Sequence, residues 1–340
     1  MPSPIHSILR RVKSYIHRIL TRLGLRLCRF FIGENNPRIT FAVDSEKLED
    51  GLGAQIQRQL SLKSLANYLK VEFIPNPIRQ IAIHPFDNFS DIEQMREFLN
   101  DANNLFRFNL PNDYDFSTMI RVGNLKIGNL MRLILVSRLR KTCLSLLVLE
   151  AYSIVDADPQ IYAEALIGYS LNTESIRMNQ RMDSSDICIH YRQGSGGNAI
   201  YPGQRISREL NPQYFIDLLH ELDAKGKVIT LFTDAPIQKI DFKPNEAQKH
   251  LWLGTPGYKD GTITIQGLDL KSVLARAGFE VKVVIGGDLI TTFLGLIDCK
   301  TLIMSRSSLS YVAALLNKNA KIYYPPNFWH PPLKSWIKVK

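Results

Sequence analysis

Acidic residues are missing from the first 33 positions. Residues 1–33 hold Arg10, Arg11, Lys13, Arg18, Arg22, Arg26 and Arg29, with neither Asp nor Glu. That segment supplies +7 of a net charge of +10, which leaves only +3 for the rest. A chain whose basic charge sits in one element does not read as a nucleic-acid binder. Cysteine is scarce: Cys28, Cys143, Cys188 and Cys299 lie far apart, and no C-x-x-C pair exists. This excludes a zinc ribbon and a thioredoxin-like motif and points to free buried thiols in a reducing compartment. Long uncharged apolar runs are also missing. Charge interrupts residues 5–31 every few positions, and Leu144–Leu149 is too short to span a bilayer, so neither a spanning helix nor the apolar core of a signal peptide fits. No internal repeat is present.

What is there is ordinary globular composition. The chain has 340 residues, 45% hydrophobic and 22% charged, enough for two domains. Pro4 to Phe31 reads as an amphipathic helix, because Ile5, Ile8, Leu9, Val12, Tyr15, Ile16, Ile19, Leu20, Leu23, Leu27 and Phe30 recur mostly three and four apart. A basic amphipathic helix lies on an anionic membrane surface. An organelle transit peptide has a similar composition, and a helix packed on the protein's own body is the structural alternative. Deleting residues 1–33 is expected to release the chain from anionic vesicles and to leave its activity intact.

Beyond it, short apolar runs alternate with helical patterns. Strands are expected at Arg38–Val43, Ile187–Ile189, Val228–Phe232, Glu280–Ile285, Lys300–Met304 and Ala320–Tyr324. Helices are expected from Ile56 to Leu69, near Ser90–Ala102, and after Pro212, Leu289 and Ser310. Leu125–Ala151 reads as a buried helix pair. Alternation of this kind implies an α/β fold with mostly parallel, doubly wound sheets. The polar stretch 172–185 marks the boundary, giving a basic helix over 1–35, an N-terminal domain over 36–180 and a C-terminal domain over 181–340. Asp156-Ala-Asp158 has the spacing of a metal-binding D-x-D, but Asp158 before Pro159 is a natural helix cap.

Three segments carry chemistry. Asp186–Gly197 (DICIHYRQGSGG) is a buried strand that ends in His190, Tyr191 and Arg192 and then a glycine-rich loop with Gly194, Gly196 and Gly197. Ligands of open α/β sheets bind beyond the carboxyl ends of strands, and the arginine fork matches phosphate oxygens. The alternative is a strand followed by a flexible turn. Ser305–Ser310 (SRSSLS) lies between a strand and a helix. There Ser307 and Ser308 cap the helix and offer hydroxyls to an anion at its positive end, and Arg306 adds charge. Asp50-Gly51-Leu52-Gly53-Ala54-Gln55 opens the helix after the first strand; it is either an anion cradle or a tight turn. Arg205 and Arg208 follow in a polar loop that either closes over a ligand or is simply solvated.

Taken together, these segments resemble the α-1,2-fucosyltransferases and the wider group of inverting, GDP-fucose-dependent fucosyltransferases. The glycine motif G-G-L-G-N-Q of that family is matched by Asp50–Gln55, its H-x-R-x-G-D by His190–Ser195, its S-S-F-S-W by Ser307–Tyr311, and its F-S-D by Phe232–Asp234. The resemblance covers residues 38–325, densely only in the second half. It implies two Rossmann-like domains facing a cleft, a GT-B-like arrangement with the donor on the C-terminal side. It further implies that Arg192 holds the diphosphate and that His190 and Gly194 shape its loop. Ser307 and Ser308 bind phosphate, Asp234 lies near the guanosine, and Gly51, Gly53 and Gln55 belong to the donor site. Asp50 stands as general base, with a turn aspartate as its alternative. No metal or other cofactor is expected. Partners are a nucleotide sugar, a glycan acceptor and an anionic membrane surface through residues 5–31, with no nucleic acid; the location is cytoplasmic and peripheral. Ala54 stands for the family's asparagine, Ser195 for its aspartate and Tyr311 for its tryptophan. Other nucleotide sugars, a metal-dependent transferase and a non-catalytic glycan- or nucleotide-binding protein stay open.

Overall fold

The computed structural model describes residues 4–33, 39–46, 50–81, 92–110, 115–173, 185–192, 198–201, 204–207, 210–233, 240–243, 258–265, 270–285 and 289–339. It divides into two α/β units. The first groups Met1–Asp50, Ala54–Ile81 and Leu99–Ser175, and the second groups Gly51–Gly53, Ala82–Phe98 and Ile176–Lys340.

The first unit opens with α1 (Pro4–Ile32), then β1 (Ile39–Val43) and α2 (Leu52–Leu69, whose first two residues group with the second unit). β2 (Glu72–Ile74), the end of α3 (Ile92–Phe106), β3 (Ile120–Asn124), α4 (Ile127–Arg140), β4 (Leu144–Glu150), α5 (Tyr152–Val155) and α6 (Gln160–Leu166) follow. Its sheet runs β2-β1-β4-β3, all parallel. β1 is buried at every position because it lies between two strands and under helices.

Leu125–Ala151 is therefore a helix and a strand rather than a helix pair. A continuous apolar run reads the same in a buried helix and a buried strand, and the break is disguised. α4 ends in a left-handed cap at Lys141, φ 54°, whose N–H returns to Ser137 and Arg138 carbonyls. Glycine usually marks such a cap; here a lysine occupies it. Asp158 also differs from expectation. Its side chain does not cap α6 but reaches Arg22 of α1 at 3.5 Å.

α1 proves to have two apolar faces. Thr21, Leu25, Cys28 and Ile32 are buried, and a Cβ on Gly24 would come within 2.6 Å of Ile127, so α1 and α4 touch closely there. The stripe from Val12 to Phe30 stays exposed. The second face fits the alternative of a helix packed on the protein's own body: deleting residues 1–33 would also remove the buried side chains Leu25, Cys28 and Ile32.

In the second unit, β5 (Ile187–Tyr191), a hairpin of β6 (Asn198–Tyr201) and β7 (Gln204–Ser207), α7 (Pro212–Glu221) and β8 (Ile229–Thr233) come first. A small antiparallel sheet follows, of β9 (Ile240–Phe242), β10 (Tyr258–Lys259) and β11 (Thr262–Ile265). Then come α8 (Leu270–Arg276), β12 (Val281–Ile285), α9 (Leu289–Asp298), β13 (Thr301–Ile303), α10 (Ser308–Leu316), β14 (Lys321–Tyr324) and β15 (Ile337–Lys338). The main sheet runs β12-β8-β5-β13-β14-β15, all parallel. Ile187, Ile189, Leu231 and Ile303 meet Phe215, Leu219 and Leu274 in its core.

Three of the four thiols are buried and only Cys143 is exposed. Burial pushes Cys28 up to about 12, and a hydrogen bond donated to Cys299 together with burial raises Cys188. The thiolate is the reactive form. A disulfide reagent at neutral pH is therefore expected to label only Cys143 in the native chain, and all four cysteines after denaturation. Fast native labelling of a second thiol would contradict this packing.

Candidate functional site

The order of the second sheet decides where its site lies. From β5 the chain moves outward through β8 to β12, then returns to the other side of β5 for β13, β14 and β15. The strand order thus reverses between β5 and β13, and ligands of such sheets bind at the carboxyl ends of that point. Both sequence motifs of this unit arrive there. His190 is the penultimate residue of β5 and Ser305 follows β13. His190 Nδ1 and Ser305 Oγ are 2.7 Å apart, both residues being buried. The motifs are 115 residues apart in the chain, and one hydrogen bond ties them.

The serine turn is held by its own hydroxyls. Ser310 Oγ donates to the carbonyls of Ser305 and Ser307, each at 3.1 Å. Ser307 is the N-cap of α10 in extended geometry, its Oγ accepting from Leu309 N–H at 3.3 Å. Its own proton is then left to donate. Ser308, half-buried, is the first residue of α10. The first N–H groups of a helix have no partner within it and form its positive end. Arg192, half-buried, follows Tyr191 directly off the end of β5.

Arg306 departs from its expected part. Its Nε donates to the Pro326 carbonyl at 2.9 Å, and burial lowers its pKa from the usual arginine value. It lines a pocket of about 610 Å³ with Tyr214, Asp217 and Glu221, and those carboxylates oppose an anion there. Tyr311 serves packing. Its ring lies 5.3 Å from Trp336 and 5.7 Å from Phe328, and its hydroxyl donates to Pro331 O at 2.8 Å. Gly53, which groups with this unit, is a required glycine: a Cβ there would fall 2.5 Å from the Leu309 backbone nitrogen. Gly51 precedes α2. Gly194, Ser195, Gly196, Gly197, Arg208 and Asp234 lie outside the described residues.

A second polar cluster occupies the first unit. β1 runs outward to β2, and the chain comes back by β3 to place β4 beside β1. At the carboxyl ends of β1 and β4, Arg58 Nη2 donates to Asp50 Oδ2; the Arg58 side chain is 11% exposed and that of Asp50 45%. Tyr152 OH donates to Ala54 O at 2.9 Å, and the Arg58 guanidinium lies 5.9 Å from the Tyr152 ring centre. Burial works against the charge on Arg58, but Tyr152, Asp50 and Glu150 outweigh it and raise its pKa. Burial drives the Tyr152 hydroxyl far above its ordinary value, so it stays a neutral donor. Gln55 Nε2 donates to the carbonyls of Asp50 and Gln80.

Arg58 is the residue that sequence reading missed. Its signal was a helix whose polar residues are buried on every face: Gln55, Gln57 and Gln59 are all buried. Arg58 Nε and Nη1 and both amide atoms of Gln57 are sealed from water without a hydrogen-bond partner. Such groups cost about 1–3 kcal/mol each.

No family model and no curated protein matches this chain. Among solved structures it is similar to Escherichia coli heptosyltransferase WaaC with ADP-2-deoxy-2-fluoro heptose, at 12% identity over 89% of this chain and 93% of that one, TM-score 0.35. It is similar to E. coli ADP-heptose lps heptosyltransferase II at 14% identity, over 89% and 90% of the two chains, TM-score 0.35. It is also similar to Arabidopsis thaliana FUT1 in complex with GDP at 13% identity, over 90% and 75%, TM-score 0.36. Likenesses at this level carry no information about donor or acceptor.

Proposed function

We propose that this chain is a metal-independent, inverting glycosyltransferase that moves fucose from GDP-fucose to a glycan hydroxyl. The observation that carries the reading is the His190–Ser305 hydrogen bond at the switch point of the second sheet. It sets Arg192 and the start of α10 on the two strand ends where an anion belongs. The acceptor oxygen attacks the anomeric carbon from the face opposite the diphosphate. The carbon–oxygen bond to the diphosphate breaks, and its electron pair stays on the leaving β-phosphate oxygen. Charge grows there, so fixed donors aimed at it lower the barrier. Those donors are the Arg192 fork, the first N–H groups of α10 and the hydroxyls of Ser307 and Ser308. His190 and Gly194 hold the loop, and Asp234 takes the guanosine side, as the family motif implies. Gly51, Gly53 and Gln55 complete the donor side by the same resemblance. Asp50 receives the acceptor's proton, and its pairing with Arg58 orients the carboxylate.

The protein is placed, on the same reading, in the cytoplasm as a peripheral protein on an anionic membrane, through residues 5–31. A second reading has a specific motive. Ser195 and Ala54 replace the family's aspartate and asparagine, which suits a protein that binds GDP without turnover.

Calorimetric titration with GDP, UDP and ADP in excess chelator tests the donor site. GDP is expected to bind about tenfold or more tighter than the other two, a difference of about 1.4 kcal/mol. Equal affinities would remove the guanosine assignment, and no binding of any would remove the transferase reading. GDP binding without hydrolysis of GDP-fucose would favour the second reading.

A further inference from the structure

We propose that α4 joins α1 in one surface that docks on an anionic lipid bilayer. The inference rests on the membrane reading of residues 5–31 and extends it to a helix which that reading left out. α1 cannot serve as a loose anchor, because its inner face is built into the first unit through Leu25, Cys28 and Ile32. Its outer face, from Val12 to Phe30, is apolar and exposed along more than four turns. Arg138 Nη1 donates to the Phe31 carbonyl at 3.0 Å, so the last turn of α4 sits at the C-terminal end of α1. At that place Phe30 is 75% and Leu139 84% exposed, and Val136, one turn earlier on α4, is exposed too.

Charge follows the same outline. No Asp or Glu occurs in residues 1–33, and none occurs between Asp115 and Glu150. α4 and its cap present Arg132, Arg138, Arg140 and Lys141, all exposed. Two touching helices that carry guanidinium groups, exposed Leu and Phe, and no carboxylate match a layer of phosphate headgroups over acyl chains. A nucleic acid would satisfy the charge and leave the apolar residues in water. A second copy of the same surface would set like charges against each other, which costs affinity. Among the described residues no helix is long and apolar enough to cross a membrane, so the contact is with the surface. Because the inner face of α1 is fixed, docking orients the whole first unit on the bilayer.

Cosedimentation with phosphatidylcholine vesicles, with and without phosphatidylglycerol, tests this on the full chain. Three proteins are compared: wild type, an α1 variant (Leu20→Gln with Leu23→Gln) and an α4 variant (Leu139→Gln, Arg140→Gln and Lys141→Asn). All five positions are exposed, and asparagine tolerates the left-handed cap at 141, so unchanged circular dichroism is expected. Wild type is expected to sediment with the anionic vesicles far more than with the neutral ones. The α4 variant is expected to bind them about tenfold or more weakly, from two lost charges and one lost apolar contact. An α4 variant that binds like wild type would overturn the inference; loss in the α1 variant alone would then leave the membrane reading of residues 5–31 intact. Wild type that ignores both vesicle types would overturn both, and self-association in sedimentation velocity would then assign the surface to a second copy. The readout is independent of turnover, so it stands or falls apart from the transferase reading.

Discussion

Arg192→Ala is expected to lower transfer by about 100-fold or more, the loss seen when one fixed donor to a developing oxyanion is removed. The loss is expected in kcat rather than in KM, because charge on the leaving diphosphate grows between the bound state and the transition state. Arg192 stands one residue beyond a strand buried along its whole length, and it is itself half-buried. The packing that positions its backbone therefore comes from Ile187, Ile189 and Tyr191. Stability is expected to change by no more than ~1 kcal/mol in urea unfolding. Arg192→Lys sharpens the test. An ammonium keeps the charge but loses the planar fork, so partial recovery is expected, above alanine and well below wild type. Near-normal turnover in a folded Arg192→Ala protein would end the proposed role, and a lysine variant at full rate would reduce it to a point charge.

How far the sequence foretells this site depends on the range of the contact involved. β5, β8, β12, β13 and β14 were legible as strands because each is a short apolar run closed by turn residues. Their order across the sheet was not. That β13 returns beside β5 is a pairing over more than a hundred residues, and local pattern does not encode it. The switch point, and with it the reason for two motifs to meet, needed the folded chain. β4 was lost to the reverse problem: its neighbours cover both faces, so period-two alternation vanishes, and the lysine at its preceding cap gave no glycine signal. The outer stripe of α1 is legible as apolar from its spacing, whereas which residues form the inner face is not, because Thr21, Leu25, Cys28 and Ile32 sit between arginines. Arg58 was missed for an electrostatic reason. A charged residue in a helix is ordinarily on the solvated side, and only the burial of the glutamines around it shows that α2 has almost no solvated side.

Loss of either partner in the His190–Ser305 pair is expected to damage the same thing. Ser305→Ala leaves a ring nitrogen in a buried place without that partner, and is expected to cost ~1–3 kcal/mol in urea unfolding. His190→Ala removes a buried ring as well and is expected to cost more, ~2–4 kcal/mol, by adding a cavity. The two residues share one bond at 2.7 Å, so the double variant should fall short of the sum by ~0.5–3 kcal/mol, the range for residues in contact. Activity gives an independent readout. The bond carries no charge to the substrate; it holds the end of β5 against the start of the serine turn, so its loss lets Arg192 and α10 drift relative to each other. A displacement of about 1 Å at a reacting centre costs on the order of 100-fold, and both single variants are expected to lose turnover by about 10- to 100-fold, with the double variant little worse than either. Ser307→Ala offers the contrast. It removes a helix cap, worth about 1 kcal/mol, and a phosphate donor, but leaves the tie between the strands in place, so a loss of stability of that size is expected without removal of the His190–Ser305 bond. Additive losses for His190 and Ser305, in stability and in rate alike, would mean that the two motifs act separately and that the switch point does not assemble them.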